Sequence, residues 1–399
     1  MARIFPRLVR LVMDVNADAA GSIAYVARLC AESTIQCTLF LSLSSYEARV
    51  VRQLEARTLV QGIILNSPNI IEFGLYPFHC ASIKGSELEE CFVELISQLR
   101  CLLKVALGES SFPVSFLHAV ARLPRLYHLQ FEGETDEFTI ESLPGTVHSS
   151  EVFASLKVLL FSATSSQVVS LFGKQQCFAR IRVFTLNLRD CIEEEELQAV
   201  FAAIAGTCHD LEELCINQCF PGKDRSNSRA LSRRKFTGAV MRPLKELKKL
   251  SKFEFSNVIT NGMSDTDILQ LVRDCPALEG LKVFTSRTSS TNITPNVLSL
   301  LSHQQNRLRL LTLCVHFGAS TLLDDGDIGV HLKGLTELDF VHSTIDLEAS
   351  DEANIKRLGL FIKKCVSEQC KRSENPHEFP EGEAKLRWDE VWAVVTDAD

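Results

Sequence analysis

The sequence predicts an α/β solenoid of about twelve irregular repeats, with parallel strands on a concave face and helices on a convex face. Three observations carry this expectation. A triplet of residues spaced apolar, two residues, apolar, one residue, apolar recurs along the chain. Helix-period stretches lie between successive triplets, and proline recurs two residues before several of them.

The triplets come first. They read Leu8/Leu11/Met13, Ile35/Thr38/Phe40, Ile70/Phe73/Leu75, Leu102/Val105/Leu107, Leu126/Leu129/Phe131 and Leu156/Leu159/Phe161. They continue as Ile181/Phe184/Leu186, Leu211/Leu214/Ile216, Leu250/Phe253/Phe255, Leu278/Leu281/Val283, Leu308/Leu311/Leu313 and Leu335/Leu338/Phe340. Ile35/Thr38/Phe40 is the poorest copy. Alternate residues of a strand share a face, so the second and third positions point into one core. The first position lies at the turn entering the strand and packs beneath it. Residues 86–99 place Leu88, Phe92, Leu95, Ile96 and Leu99 on one helical face. Glu194 to Cys208 does the same with Leu197, Val200, Phe201 and Ile204. Ser264-Asp-Thr-Asp opens a further helix as a capping box, with Ile268, Leu271 and Val272 facing inward. Pro6, Pro68, Pro124 and Pro276 end a helix and turn the chain into the next strand. A strand–helix unit of this size cannot bury its apolar face alone, so neighbours must stack.

Composition agrees with a folded, protein-facing molecule. The chain has 399 residues, 46% of them hydrophobic and 23% charged, and a net charge of −8. That balance is too apolar for disorder and too acidic for a nucleic-acid binder. No apolar run reaches membrane-spanning length, and Arg3, Arg7 and Arg10 interrupt the N-terminal stretch where a leader would need one. The expected location is intracellular, cytoplasmic or nuclear. The 14 cysteines contain no C-x-x-C, and most sit in apolar runs. They read as small buried hydrophobes in a reducing compartment, not as metal ligands.

The triplet resembles the leucine-rich repeat, L-x-x-L-x-L-x-x-N/C. Its ninth position holds Asn16, Ser110, Thr164, Cys219, Ser286 or Ser343 in half of the copies only. Residues 263–283, with their Ser-Asp-Thr-Asp-Ile run, Pro276 and the Leu278/Leu281/Val283 strand, resemble a unit of fungal F-box proteins with irregular leucine-rich repeats. Ile293 to Leu313 resembles the following unit, and Leu335 to Ile345 the last strand. Ala353 to Cys365 resembles the final helix, and Trp388-Asp-Glu-Val-Trp the tail. The resemblance covers about residues 250–395. It implies a leucine-rich-repeat horseshoe serving as the substrate-recognition region of an F-box-type ubiquitin-ligase receptor. No Leu-Pro-x-Glu-like F-box opening appears, so an adaptor would bind only through a segment upstream of these residues. The alternative is a stand-alone interaction scaffold with no link to ubiquitin ligation. The expected division is a repeat array over 1–350 with a basic insertion at 221–252, a capping helix over 351–370, and a linker and tail over 371–399.

No phosphate-binding loop, nucleophile elbow, zinc-protease or dinucleotide motif is present in the sequence. The run Glu193 to Glu196 reads as a helix N-terminus, where the macrodipole favours carboxylates. His209-Asp210 reads as a polar turn and Asp324-Asp-Gly-Asp as a loop lacking the other calcium ligands. The expectation is therefore a non-enzyme with no metal and no cofactor. The most biased stretch is Pro221 to Lys252, with a net charge of +9 including Arg233, Arg234 and Lys235. It reads as a polar insertion leading into a basic helix. That stretch is a solvated surface, a docking patch for an acidic partner or phosphopeptide, or a nuclear-import signal.

Strand residues between the apolar positions face the concave side. The candidate partner-binding residues are Glu72, Tyr76, His128, Gln130, Glu132, Asn187, Glu213, Asn217, Lys282, Phe284, Glu337 and Asp339. Arg10, Asp14, Lys104, Thr185, Lys252, Glu254 and Thr312 share the same positions. Both charge signs occur with few aromatics, which suits a protein partner on a monomer better than a small apolar ligand, a nucleic acid or a membrane. Phe284 reads as an exposed aromatic anchor.

Overall fold

The computed structural model describes residues 9–16, 34–42, 49–78, 87–108, 114–132, 152–173, 176–190, 192–218, 236–256, 262–284, 291–304, 307–318, 332, 334–340, 343–345, 352–366, 370–372 and 383–396. The chain forms two units, Met1–Thr185 and Leu186–Asp399. Arg233, Arg234 and Lys235, with the rest of 219–235, lie outside the described residues, as does the Asp324 loop.

The first unit alternates strand and helix. Its elements are β1 (Arg10–Asn16), β2 (Gln36–Ser42), α1 (Arg49–Asn66), β3 (Glu72–Phe78), α2 (Glu87–Gln98), β4 (Lys104–Leu107), α3 (Val114–Ala121), β5 (His128–Phe131), β6 (Val158–Ala163) and α4 (Ser165–Gly173). Strands β1 to β6 pair in chain order and all in parallel. Right-handed crossovers between sequential parallel strands put the described helices on one face of the sheet. Among the described residues, the other face carries no helix.

A relay of main-chain hydrogen bonds fixes the register. The residue after each first apolar position offers its carbonyl to two successive N–H groups of the next copy. Leu103 O accepts from Tyr127 N and His128 N at 2.8 and 2.9 Å, and Tyr127 O accepts from Lys157 N and Val158 N at 2.9 and 3.0 Å. The first apolar residue itself closes a tight turn: Leu102 N donates to Leu99 O at 3.2 Å and Ile181 N to Phe178 O at 3.1 Å. That is the predicted turn at the strand entrance. Inward positions Phe73, Leu75, Val105, Leu107, Leu129, Phe131, Leu159 and Phe161 are all buried.

The second copy is shifted from its predicted frame. Cys37 pairs with Leu11 and Phe73, and Leu39 with Leu75. Ile35 O accepts from Ile71 N and Glu72 N, the role of the residue after a first apolar position. The copy is therefore Thr34/Cys37/Leu39, with Thr34 and Cys37 buried, and Thr38 faces the helix-free side. The relay outweighs the apolarity of Phe40, because a one-residue slip would turn every side chain of the strand over.

Strand β7 (Val183–Leu188) contains the division between the units. The second unit continues with α5 (Glu194–Thr207), β8 (Glu213–Gln218), a three-ten helix (Gly238–Glu246), β9 (Lys252–Ser256), α6 (Asp265–Asp274), β10 (Gly280–Phe284), α7 (Val297–Ser302) and β11 (Leu310–Leu313). It ends with β12 (His316–Phe317), β13 (Glu337–Asp339), β14 (Thr344–Ile345), α8 (Glu352–Cys365), β15 (Lys371–Arg372) and α9 (Glu383–Thr396). The order β8-β9-β10-β11-β13-β15 is parallel throughout, and β12 pairs with β14 apart from it. The same carbonyl relay runs through Glu212, Ser251, Glu279 and Arg309. Each unit is thus a leucine-rich-repeat-like parallel β/α solenoid.

Helix starts follow the sequence. Ser264 caps α6 with Asp267 in a reciprocal capping box, as predicted. Glu193 caps α5 the same way with Glu196, so the four-carboxylate run is a helix start. Threonine then ties neighbouring repeats together. Thr294 N and Oγ1 donate to the two oxygens of Asp265 at 2.7 and 2.6 Å, and Thr237 N and Oγ1 donate to Glu194 Oε1. Burial pushes the Asp265 carboxyl up, although both bonds from Thr294 pull it down. His209-Asp210 is the expected turn, with Asp210 accepting from Lys249 Nζ at 2.6 Å.

The predicted basic helix differs. Its described part is a three-ten helix containing Pro243, which has no N–H to give an α-helical ladder. Val240, Met241, Leu244 and Leu247 are buried beneath it, while Lys245, Lys248 and Lys249 are exposed.

Phenylalanine fills much of both cores. Phe172 lies 5.1 Å from Phe178 and 5.0 Å from Phe184 in the first unit, and Phe201 lies 6.0 and 5.8 Å from Phe253 and Phe255 in the second. At the far end of the second unit, α9 packs on α8. Gly359 permits the close approach, since a Cβ there would stand 2.6 Å from Val394 Cβ and 3.0 Å from Val391 O. Trp388 lies 5.1 Å from Phe340 and donates through Nε1 to Ser343 O at 3.2 Å.

Candidate interaction surface

On the helix-free face, side chains from successive strands line up in rows because the strands are parallel and in register. In the first unit one row is Glu72, Lys104 and His128, joined by the pairing of β3, β4 and β5. All three are half-buried. His128 Nε2 is buried and has no hydrogen-bond partner among the described residues. Burial holds the His128 imidazole below its ordinary value; the Lys104 charge adds to this and Glu72 opposes it. A second row carries Thr38, Gly74, Ala106 and Gln130. Gln130 Nε2 donates to Glu132 Oε1 at 2.7 Å. Tyr76 covers Gly108, where a Cβ would stand 2.6 Å from Tyr76 Cδ1. Burial, and then the Glu132 charge, push the Tyr76 hydroxyl up.

The second unit holds the more connected patch. Lys252 pairs with Glu213 at 2.7 Å and Lys282 with Glu254 at 3.8 Å. Asn217 Nδ2 donates to Asn187 Oδ1 at 3.1 Å, and Ser256 Oγ donates to Asn217 Oδ1. Asn187, Asn217 and Ser256 each follow the third apolar position of their strand. Cys215 sits between the charged row and the amides. Burial, followed by the Glu254 charge, pushes its thiol up to about 12, so it is a neutral thiol at physiological pH. The ion pairs are substantially exposed and hold geometry more than they add stability.

The sequence-predicted residues divide accordingly. Glu72, Tyr76, His128, Gln130 and Glu132 lie together on the first unit's helix-free face. Asn187, Glu213, Asn217 and Lys282 lie together on the second unit's, with Lys252 and Glu254. Glu337 is exposed at the start of β13 and lies opposite Lys371 of β15. Phe284, Thr312 and Asp339 are on the expected face but are not open: they are 8%, 5% and 2% exposed. Phe284 clusters with Cys314 in a small buried group, so it is a packing residue and not an exposed anchor. Strand position gives the face of a side chain but not what covers it. Arg10 is exposed at the start of β1, Asp14 lies within that strand, and Thr185 is half-buried on β7. Sequence reading missed Ser256 and Cys215. Ser256 follows Phe255 as Asn217 follows Ile216, and that positional rule finds it.

Among the described residues there is no group of three or more His, Cys, Asp or Glu side chains placed to hold a metal. Among them, too, no helix is long and apolar enough to cross a membrane. The ten described cysteines are all unbridged, and seven of them are buried.

No protein-family profile matches the sequence, and no curated protein matches it. Solved structures of low similarity do. An internalin, inlF, from Listeria monocytogenes is 11% identical, with 94% of this chain and 86% of that one covered and a TM-score of 0.41. The complex of Rad7 and Elc1 in yeast gives 14% identity, 88% and 81% coverage and a TM-score of 0.41. The complex of TLR13 with ssRNA13 gives 14% identity, 86% and 41% coverage and a TM-score of 0.45. The parallel β/α solenoid is defined by the chain's own strand register.

Proposed function

We propose that this chain is a non-enzymatic, monomeric protein-binding scaffold of about twelve irregular leucine-rich-repeat-like units, acting without a ubiquitin-ligase link. Its partner lies on the helix-free sheet face. The observation that supports this most is the patch of the second unit, where Asn187, Asn217 and Ser256 bond in series beside the Lys252–Glu213 and Lys282–Glu254 pairs. Side chains held in place before binding lose little freedom on binding, which favours recognition of a polar protein surface. Mixed charge in neighbouring rows favours a partner with complementary pairs over a polyanion. The test begins with partners captured by the wild-type chain and identified by mass spectrometry. Recovery of a true partner falls at least about tenfold, roughly 1.4 kcal/mol, in Lys282→Glu or Asn217→Asp. It stays unchanged in Glu195→Lys, on the exposed side of α5. Equal recovery across all three variants removes the proposal.

A second reading, the F-box receptor, rests on the sequence resemblance alone. The residues that carry it, Ser264 to Asp267, Pro276 and Leu278 to Val283, form a helix cap, turn and strand that any parallel β/α repeat shares. Binding of the purified chain to the F-box adaptor would support it. Absence of binding leaves the scaffold reading alone.

A further inference from the structure

On the helix side of the first unit, a cleft of about 620 Å³ opens between α2 and α3. Each helix contributes one stripe to it. Val93, Ser97 and Arg100 follow one another at helical spacing along α2 and its end, as do Ser115, His118 and Arg122 along α3. Both arginines stand just past a helix C-terminus, where the macrodipole by itself favours a cation. What the dipole does not require is that Arg100 and Arg122 line one cavity with no carboxylate among its described lining residues. Among the described residues, neither Arg100 nor Arg122 is in a salt bridge. The serine protons are already committed: Ser97 Oγ donates to Val93 O at 2.7 Å, and Ser115 Oγ donates to Glu89 Oε1. Arg100 and Arg122 carry the fixed positive charge of the cleft lining.

We propose that this cleft binds a phosphomonoester with a compact apolar organic part, its phosphoryl group held by Arg100 and Arg122. Guanidiniums match phosphoryl oxygens two at a time, and two of them balance a dianion. The cavity falls within the roughly 300–1,000 Å³ of small-ligand sites and is far larger than a phosphate ion. The remaining wall, with Leu123 and Pro124, is apolar and suits a ring or short chain. This site is separate from the helix-free face and does not depend on the scaffold reading.

The probes are inorganic phosphate, phenyl phosphate and a short phosphotyrosyl peptide, titrated into the full chain at fixed ionic strength and read by calorimetry. Phenyl phosphate binds saturably and more tightly than inorganic phosphate. Arg100→Gln with Arg122→Gln weakens it at least about tenfold, roughly 1.4 kcal/mol, while Arg125→Gln, on the exposed turn outside the cleft, leaves it unchanged. Thermal midpoints measured without ligand confirm that both variants are folded, as expected for exposed arginines. A peptide that binds more tightly than phenyl phosphate identifies a phosphorylated side chain as the source of the group; a peptide that fails where phenyl phosphate binds identifies a free small molecule. The proposal is overturned if none of the probes binds saturably, if inorganic phosphate binds as tightly as its phenyl ester, or if the double variant binds as the wild type does.

Discussion

Replacing Gly359 tests how the C-terminal helix is held. Gly359 lies inside α8 against α9, and a Cβ there would come within 2.6 Å of Val394 Cβ and 3.0 Å of Val391 O. Neither neighbour yields readily, because valine is stiff at its first torsion and the carbonyl belongs to a helical backbone. Alanine at a helix interior gains about 1 kcal/mol over glycine in propensity. Overpacking costs about 1–3 kcal/mol. Gly359→Ala should therefore destabilise the helix pair by about 0–2 kcal/mol. Gly359→Leu adds further carbons to the same space and should reach the upper end of the overpacking cost, about 3 kcal/mol. The reporter is built in, since the chain's 2 tryptophans, Trp388 and Trp392, both lie in α9 and are 2% and 5% exposed. In a urea titration the tryptophan transition of Gly359→Leu should move down by about 1 M or more, taking a slope of about 1–3 kcal/mol per M. The far-ultraviolet dichroism of the rest of the chain should follow later. Emission and midpoint within about 0.2 M of wild type would refute the close helix crossing.

The remaining predictions concern the sheet. Cys37→Asp puts a charge into the core and should cost several kcal/mol, whereas Thr38→Asp, on the helix-free face, should stay within about 1 kcal/mol; chemical denaturation separates the two frames of β2, and the reverse order would restore the Thr38-inward frame. His128 gives a pH dependence. Its folded-state value is held below the ordinary one, so the unfolded chain takes up the proton first. Its penalty is absent above the unfolded value of about 6.5 and grows as pH falls through it. His128→Gln should therefore lose less stability than wild type between pH 7.5 and about 5, read as urea midpoints; an equal loss in both proteins would contradict the burial argument.

Much of the fold was legible because burial leaves a mark on residue type. Phe73 and Leu75 in the first unit, and Leu214 and Phe255 in the second, must be apolar to fill the core of their own unit, and their spacing names the strand. The caps of α5 and α6 were legible because Ser264/Asp267 and the acidic run satisfy helix-end N–H groups locally. Copy two was misframed because Thr34 and Cys37 occupy places filled elsewhere by larger apolar residues, and only the pairing with Leu11 and Phe73 reveals it. The three-ten helix was signalled by Pro243, but basic residues at helical spacing suggested a regular helix. Phe284 and Asp339 show the limit of positional reading, since their strands fix their face and only the fold determines their cover. The α2–α3 cleft was not legible at all, because Arg100 and Arg122 meet through helix packing and belong to no local motif.

The claim that a partner protein occupies the helix-free face is tested most directly by a photo-crosslinking amino acid placed at one position at a time. Lys282 and Gln130 report that face in the second and first units, and Glu195 and Arg357 report exposed helix surfaces. Irradiation of chains bearing the crosslinker at Lys282 or Gln130 should yield one recurrent partner adduct, with none from Glu195 or Arg357. Adducts confined to the helix positions, or equally abundant at all four, would contradict the account.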